Sequence, residues 1–245
     1  MSMEPTDNET IETLPAFGLQ IIQPRDGYRY SLDPLLLCDF VKTGTSARIA
    51  DLGTGCGIIP MIMARQAENA TFVGVEFQEV MAGLAARNVA INGLQDRIKI
   101  VCEDVITLRK LYPASSFDLI VANPPYRTPG SGRTSPRAGR DRARHESTAG
   151  LEDFLTVAKY LVRPGGRICF IYPPARLAEF VLRAAELRLA MLRLRMVHGN
   201  PKAAAKMLMA ELAKGSRGEL TVEAPLIVRD GSGGYTAEAA SILEA

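Results

Sequence analysis

Four consecutive residues, Asn123, Pro124, Pro125 and Tyr126, form the most specific chemical pattern in this sequence. The two prolines fix φ and supply no N–H donors, so the turn is stiff and rich in carbonyl acceptors. The Asn123 side-chain oxygen and the Pro124 carbonyl can each accept one hydrogen of a planar amino group, while the Tyr126 ring offers a stacking surface. Holding both hydrogens favours a pyramidal nitrogen whose lone pair is available for attack. The pattern therefore predicts chemistry at an amide-like or aniline-like nitrogen, with no strong base required.

A second pattern is the run of alternating glycines Gly53, Gly55 and Gly57, which follows Asp51 at the end of an apolar stretch. Glycines there allow a sharp turn and the close approach of a ligand to the backbone. A dinucleotide fingerprint needs its third glycine one position later, where Ile58 stands. The run resembles the D-x-G-x-G-x-G signature of Rossmann-like methyltransferases. That resemblance implies a turn facing the methionine moiety of S-adenosylmethionine, whose ammonium and sulfonium suit the carboxylate of Asp51.

Two further acids end neighbouring apolar stretches, Glu76 in VGVEF and Asp104 in VCEDV. In open α/β sheets, ligands bind at the carboxyl ends of the strands. Glu76 is placed to accept hydrogen bonds from both ribose hydroxyls, and Asp104 from the adenine amine. For Asp104 the alternative stays open that it only caps the next helix. Phe77 and Val105, which follow the two acids, complete the candidate cofactor contacts.

The chain must place these residues on one framework, and its alternating pattern indicates an α/β sheet covered by helices on both faces. We predict a Rossmann-like, doubly wound domain with seven strands, mostly parallel, and an antiparallel edge strand. The predicted strands are Arg48–Leu52, Thr71–Val75, Ile98–Cys102, Phe117–Ala122, Arg167–Tyr172, Met191–Val197 and Lys206–Ala213. The predicted helices lie near Ile58–Gln66, Gln78–Asn92, Leu151–Leu161 and Ala175–Leu187.

The front of the chain is predicted as an appendage of this single domain, which we place at 18–245. Residues 1–17 contain acids and small polar residues without bases and read as a flexible arm. Residues 18–29 resemble a hairpin with its turn at Asp26-Gly27. A helix then starts at SLDP, with Ser31 or Asp33 as N-cap and Pro34 in the first turn.

Composition limits the possible function classes. Apolar residues make up 47% and charged residues 23% of the 245 residues, as in ordinary soluble domains. The sequence shows neither a secretory leader pattern nor an apolar run long enough for a bilayer, so we expect a cytoplasmic protein without a membrane partner. The four cysteines lack paired spacing and there are two histidines, so we predict reduced thiols and no metal site.

The basic charge is concentrated in one place, which we call the arginine-rich segment (127–145). It carries six arginines against one acid, while the whole chain has a net charge of only +2. Such a local excess indicates an anionic partner, such as a nucleic acid, and its position directly after Tyr126 predicts contact with that partner beside the reacting group. A solvated, mobile loop is the alternative. The candidate nucleic-acid contacts are Arg127, Arg133, Arg137, Arg140, Arg142 and Arg144.

On the basis of N-P-P-Y and the glycine run, the sequence from about 18 to 230 resembles the class I methyltransferases that carry N-P-P-Y. Within that group it is most similar to the bacterial enzymes that methylate an exocyclic adenine amine in the anticodon loop of valine tRNA. The supporting text is GYRYSLDPLLLCDF, VGVEFQ and ARHE. In the family the first of these folds over the cofactor, which makes Ser31 and Asp33 secondary candidates here.

The resemblance implies a SAM-dependent N-methyltransferase acting on adenine in RNA, with tRNA as the favoured RNA. One alternative is a glutamine-amide methyltransferase acting on protein, although these usually carry a helical N-terminal domain and only about 45 residues precede the first sheet strand here. The other is a non-catalytic binding protein on the same fold, which would have no need for the complete set of motifs.

Overall fold

The computed structural model describes residues 5–26, 29–44, 47–125 and 149–243. Its centre is one sheet with seven long strands, in which five parallel strands are neighbours and β9 runs antiparallel next to them. In spatial order the long strands are β8 (Leu189–His198), β9 (Ala205–Lys214), β7 (Val162–Tyr172), β6 (Phe117–Ala122), β3 (Arg48–Leu52), β4 (Thr71–Glu76) and β5 (Ile98–Cys102). The predicted fold class is confirmed.

Helices cover both faces of the sheet, as predicted, because strand residues alternate between two separate apolar clusters. On β3, for example, Ile49 packs in one cluster while Ala50 and Leu52 pack in the other. The first face carries α1 (Asp33–Phe40), α2 (Ile58–Gln66), α3 (Glu79–Ile91) and α7 (Ala237–Leu243), and the second carries α4 (Leu108–Leu111), α5 (Leu151–Leu161) and α6 (Leu177–Glu186).

The C-terminal strands contain the antiparallel pair expected from sequence, with one difference in position. β9 lies between β7 and β8 instead of at the edge. Two short strands, β10 (Thr221–Val222) and β11 (Leu226–Ile227), pair in parallel with the outer side of β8. The edge of the sheet is therefore occupied by pieces too short to offer a long open ladder.

The hairpin prediction for residues 18–29 is wrong. The hairpin begins earlier, as β1 (Glu9–Leu14) paired antiparallel with β2 (Leu19–Pro24), and its connection contains the short helical turn Pro15–Phe17 and Gly18. Residues 9–14, predicted to belong to an arm, thus form a strand. Thr10, Glu12 and Leu14 share the partly buried face of β1, while Ile11 and Thr13 on the other face are exposed, so the apolar residues of ETIETL do not mark the packed side.

Candidate functional site

Four strand ends meet at one edge of the sheet, which we call the carboxyl edge. The glycine turn follows β3, Glu76 ends β4, Asp104 lies two residues after β5 and Asn123 follows β6 directly. Because β3, β4, β5 and β6 are parallel neighbours, the structure brings together on this edge the residues that sequence patterns singled out separately.

The glycine turn has the backbone conformation that its glycines predict. Gly53, Gly55 and Gly57 all have positive φ, at 78°, 57° and 83°. Side chains with a Cβ rarely adopt this region, so the alternation of glycines is a backbone requirement. The turn is anchored to the next strand, because the N–H groups of Gly53 and Thr54 both donate to the Val75 carbonyl, at 2.9 and 2.8 Å.

Asp51 lies beneath this turn in an unusual state. Its side chain is 1% exposed, and neither carboxylate oxygen has a hydrogen-bond partner within the protein. Burial raises the pKa of Asp51 to about 7; the charge of Glu76 also raises it, while Thr54 opposes the shift through a contact that falls short of a hydrogen bond. A buried carboxylate without a partner costs free energy, and a cationic or hydrogen-bond-donating ligand could offset that cost.

Glu76 is almost fully buried, and both of its carboxylate oxygens are oriented by backbone donors. Oε2 accepts the Gly55 N–H at 3.0 Å, and Oε1 accepts the Gln78 N–H at 2.9 Å. The carboxylate therefore belongs to the same rigid unit as the glycine turn. Phe77, which follows it, is half-buried at the carboxyl edge.

Asp104 performs the capping role that sequence left open. Its Oδ1 accepts the Ile106 N–H at 3.0 Å and so caps the short helical turn Val105–Thr107. Val105 is buried in the apolar cluster under α5. A contact of Asp104 or Val105 with an adenine remains a prediction.

Asn123 shares one cleft with the glycine turn. Asn123 is half-buried, Pro124 is buried and Pro125 is exposed. The cleft is lined by Tyr30, Pro34, Gly53, Thr54, Gly55, Cys56, Ile58, Ile59 and Asn123. The residue proposed to hold an amino group and the turn proposed to hold a cofactor thus face a common space.

The segment before α1 contributes to this cleft through residues that the sequence reasoning missed. Ser31 is exposed, and its Oγ accepts the Asp33 N–H at 3.3 Å at the start of α1, whose N-cap is Leu32. The neighbouring residues Tyr30 and Pro34 line the cleft instead. Tyr28 and Tyr30 are both aromatic residues in an otherwise polar stretch, and nothing around them in sequence singles out Tyr30. A cofactor contact of Ser31 or Asp33 stays a prediction.

Several candidates lie outside the described residues: Tyr126 and the six arginines of the arginine-rich segment. Their placement at the site stays a prediction from sequence. In the parts of the chain that the structure describes, no cluster of three or more His, Cys, Asp or Glu side chains could hold a metal ion. The same residues include no helix with the length and apolarity needed to span a bilayer.

A model of the methyltransferase small domain family matches residues 33–185, which run from α1 to the last turn of α6. Two similar proteins are both called tRNA1(Val) (adenine(37)-N6)-methyltransferase. The one from Porphyromonas gingivalis is 37% identical over 66% of this chain and 63% of its own length. The one from Bacteroides fragilis is 30% identical over 58% of each protein. The matches thus span less than two thirds of these relatives.

Among solved structures, the chain is similar to a protein from Agrobacterium tumefaciens described as a predicted O-methyltransferase. The two are 26% identical, with a TM-score of 0.71 over 86% of this chain and 95% of the other. The similarity therefore covers most of the chain.

Proposed function

This chain belongs to the methyltransferase small domain family, and from that premise we propose that it transfers the methyl group of S-adenosylmethionine to the exocyclic N6 amine of an adenine in tRNA. The observation that carries the proposal is the shared cleft of Asn123 and the glycine turn. It brings an acceptor site for an amino group next to a site for a cationic ligand. The names of the two relatives support tRNA adenine as the substrate.

The residues present fit the cofactor. S-adenosylmethionine carries an ammonium, a sulfonium and two ribose hydroxyls, and when bound it supplies an electrophilic methyl group. The buried carboxylate of Asp51 lacks the partner that an ammonium would provide. The positive φ angles of the glycines shape the turn that lines the cleft, and Glu76 holds a carboxylate at the adjacent strand end, where ribose hydroxyls could donate to it.

The residues after β6 act on the acceptor. The Asn123 side-chain oxygen and the Pro124 carbonyl accept the two hydrogens of the adenine amine, which withdraws the nitrogen lone pair from the ring and directs it into the cleft. After transfer the nitrogen is cationic and acidic, so its proton leaves to solvent without a dedicated base. These residues work by positioning and by fixed dipoles, the two effects that need no titrating group.

The arginine-rich segment would bind the RNA. Each arginine that neutralises a phosphate adds affinity that falls with salt, and the target base must be unstacked to reach the cleft. Deleting residues 130–142 removes four arginines. We expect the slope of log affinity for tRNA against log salt to become shallower by about 3, measured by filter binding between 50 and 300 mM salt. An unchanged slope would show that the arginine-rich segment does not bind the RNA phosphates.

The proposal is tested by labelling. The purified chain is incubated with methyl-labelled S-adenosylmethionine and, separately, with total tRNA, ribosomal RNA or release factors, followed by nucleoside mass spectrometry. We expect label in tRNA, recovered as N6-methyladenosine. Label confined to protein would contradict the proposal and point to glutamine amides. Binding of the cofactor without label in any pool would contradict the choice of substrate while leaving the cofactor site in place.

A further inference from the structure

The carboxylate of Glu12, on β1, is the acceptor of a compact hydrogen-bond network. Its Oε1 accepts the Tyr30 hydroxyl at 2.9 Å, and its Oε2 accepts Gln23 Nε2 at 2.6 Å and Arg29 Nη2 at 3.2 Å. Burial and the neighbouring Glu12 raise the pKa of Tyr30 well above its usual range, so its hydroxyl stays protonated and remains a donor. One carboxylate therefore fixes three side chains from two parts of the chain.

Gln23 completes the hold on Tyr30. Its side chain is 1% exposed, and its Oε1 accepts the Tyr30 backbone N–H at 3.1 Å while its Nε2 donates to Glu12. Only one orientation of the amide satisfies both bonds, so the network is internally consistent. Tyr30 is thus held at its backbone and at its hydroxyl, and the ring between them has little freedom.

The hairpin that carries this network is fastened to the glycine turn. Asn88 of α3 is fully buried, and its Nδ2 donates to the carbonyls of Ile22 and Cys56, both at 3.0 Å, while its Oδ1 accepts the Ile22 N–H at 2.7 Å. Cys56 belongs to the turn that lines the cleft. The β1–β2 hairpin and the glycine turn are therefore both hydrogen-bonded to the same buried side-chain amide, that of Asn88.

We propose that Tyr30 forms a wall of the cofactor cleft and that Glu12, together with Gln23, is a positioning residue for cofactor binding. This inference rests on the proposed function, because it assigns S-adenosylmethionine to the cleft. Tyr30 lies along the same cleft as the glycine turn and Asn123, so it meets the part of the ligand next to the reacting centre. A wall that is ordered before the ligand arrives lowers the entropic cost of binding. The β1–β2 hairpin then contributes to cofactor binding by holding Tyr30 in place.

The test measures the affinity of the purified chain for S-adenosylmethionine and for S-adenosylhomocysteine by titration calorimetry, alongside thermal unfolding. We expect Glu12→Ala to weaken both ligands by about tenfold, since it removes the anionic acceptor of three donors. Tyr30→Phe keeps the ring and loses one hydrogen bond, so we expect a smaller loss, about threefold. In steady-state assays the loss should fall on KM for the cofactor, with kcat changed less.

Glu9→Ala is the matched control. Glu9 lies on the same strand, and its carboxylate pairs with Arg87 of α3 at 2.8 Å without touching Tyr30. It should lower the unfolding temperature by an amount similar to Glu12→Ala while leaving cofactor affinity within about twofold.

The outcomes separate the two proposals. If the wild-type chain binds neither ligand, the result contradicts both the proposed function and this inference. If the wild type binds and both Glu12→Ala and Tyr30→Phe bind equally well, only the positioning role is overturned. Equal losses of affinity in the Glu9 and Glu12 variants would likewise overturn it, because they would reflect general loosening of the hairpin. Tyr30→Phe leaves the Gln23 and Arg29 bonds to Glu12 in place, so it tests the hold on the Tyr30 ring even if Glu12→Ala fails to fold.

Discussion

Two buried carboxylates in the same sheet have opposite surroundings. Glu211 on β9 is 7% exposed, and it pairs with Arg193 at 2.8 Å and with Arg167 at 3.1 Å. Asp51 on β3 is 1% exposed and has no hydrogen-bond partner for either oxygen. Glu211 on the C-terminal strands has its charge satisfied within the protein, whereas Asp51 at the carboxyl edge does not. A buried charge that is paired within the protein contributes to the stability of the fold, whereas an unpaired buried carboxylate can still accept a ligand.

The same contrast extends to the neighbouring arginines. Arg193 also pairs with Glu223, at 2.6 Å, and its guanidinium lies 4.1 Å from the centre of the Phe40 ring. Arg195 pairs with Glu238. These two residues of β8 are engaged in ion pairs within the protein. The two regions should therefore respond differently when a polar group is removed.

The largest effect should come from the carboxyl edge. Asn123→Ala removes an acceptor for the substrate amine, and we expect kcat to fall by about 100-fold or more while cofactor affinity changes only a few-fold. The unfolding temperature should stay within a few degrees of wild type, because Asn123 lies at the end of its strand. A variant with near-normal turnover would contradict the mechanism.

Charge removal on the C-terminal strands should act on stability instead. Glu211→Gln keeps the shape of the side chain but leaves Arg167 without its anionic partner and Arg193 with Glu223 alone. We expect the free energy of unfolding to fall by about 3 kcal/mol, measured by urea denaturation. Turnover per folded molecule should be unchanged. A loss of turnover without a loss of stability would contradict the different roles assigned to the C-terminal strands and the carboxyl edge.

The matching change at the carboxyl edge should have the opposite sign. Asp51→Asn removes an unpaired buried charge, so the ligand-free chain should become more stable by about 1–3 kcal/mol at pH 8. The same change should weaken S-adenosylmethionine by about tenfold, because the ammonium loses its carboxylate. Denaturation and calorimetry on one protein preparation measure both. A variant that is less stable and binds normally would show that Asp51 is structural.

The smallest effect is a pH dependence of the wild type. The pKa of Asp51 is about 7 in the folded chain and near 4 when unfolded. The folded state therefore binds the extra proton between these values, and the stability that this gives is complete below pH 4 and lost as pH rises through 7. Cofactor affinity should change the other way, rising by about tenfold between pH 6 and 8 and levelling off above. Asp51→Asn should show neither trend.

The elements of the central sheet were predictable because their signals are local. Apolar stretches end at glycines, acids or prolines, and the parallel arrangement then brings Asp51, Glu76 and Asn123 to one edge. Position within the sheet was less accessible. The sequence of the β8–β9 hairpin has the same pattern whether β9 lies at the edge of the sheet or inside it. Only the pairing of β9 with β7 in the folded chain determines which position it takes.

The front of the molecule was predicted least well. The strand β1 is rich in acids, and its partners are Arg87, Gln23 and Tyr30, which only the folded chain brings near it. The role of Tyr30 depends on those contacts, so the residues around it in sequence could not reveal it. Likewise, the position of Asp51 was readable from its glycines, but its lack of partners depends on what the fold places around it.

The place of β9 has a consequence for synthesis. A growing chain makes β7 and β8 before β9, yet β9 must enter between them. Until residue 214 has left the ribosome, β7 and β8 cannot both reach their final neighbours, and each presents an unpaired edge to the cell. The Glu211 ion pairs can form only at that last insertion. Nascent chains that stall before residue 205 should consequently be the species most in need of a chaperone.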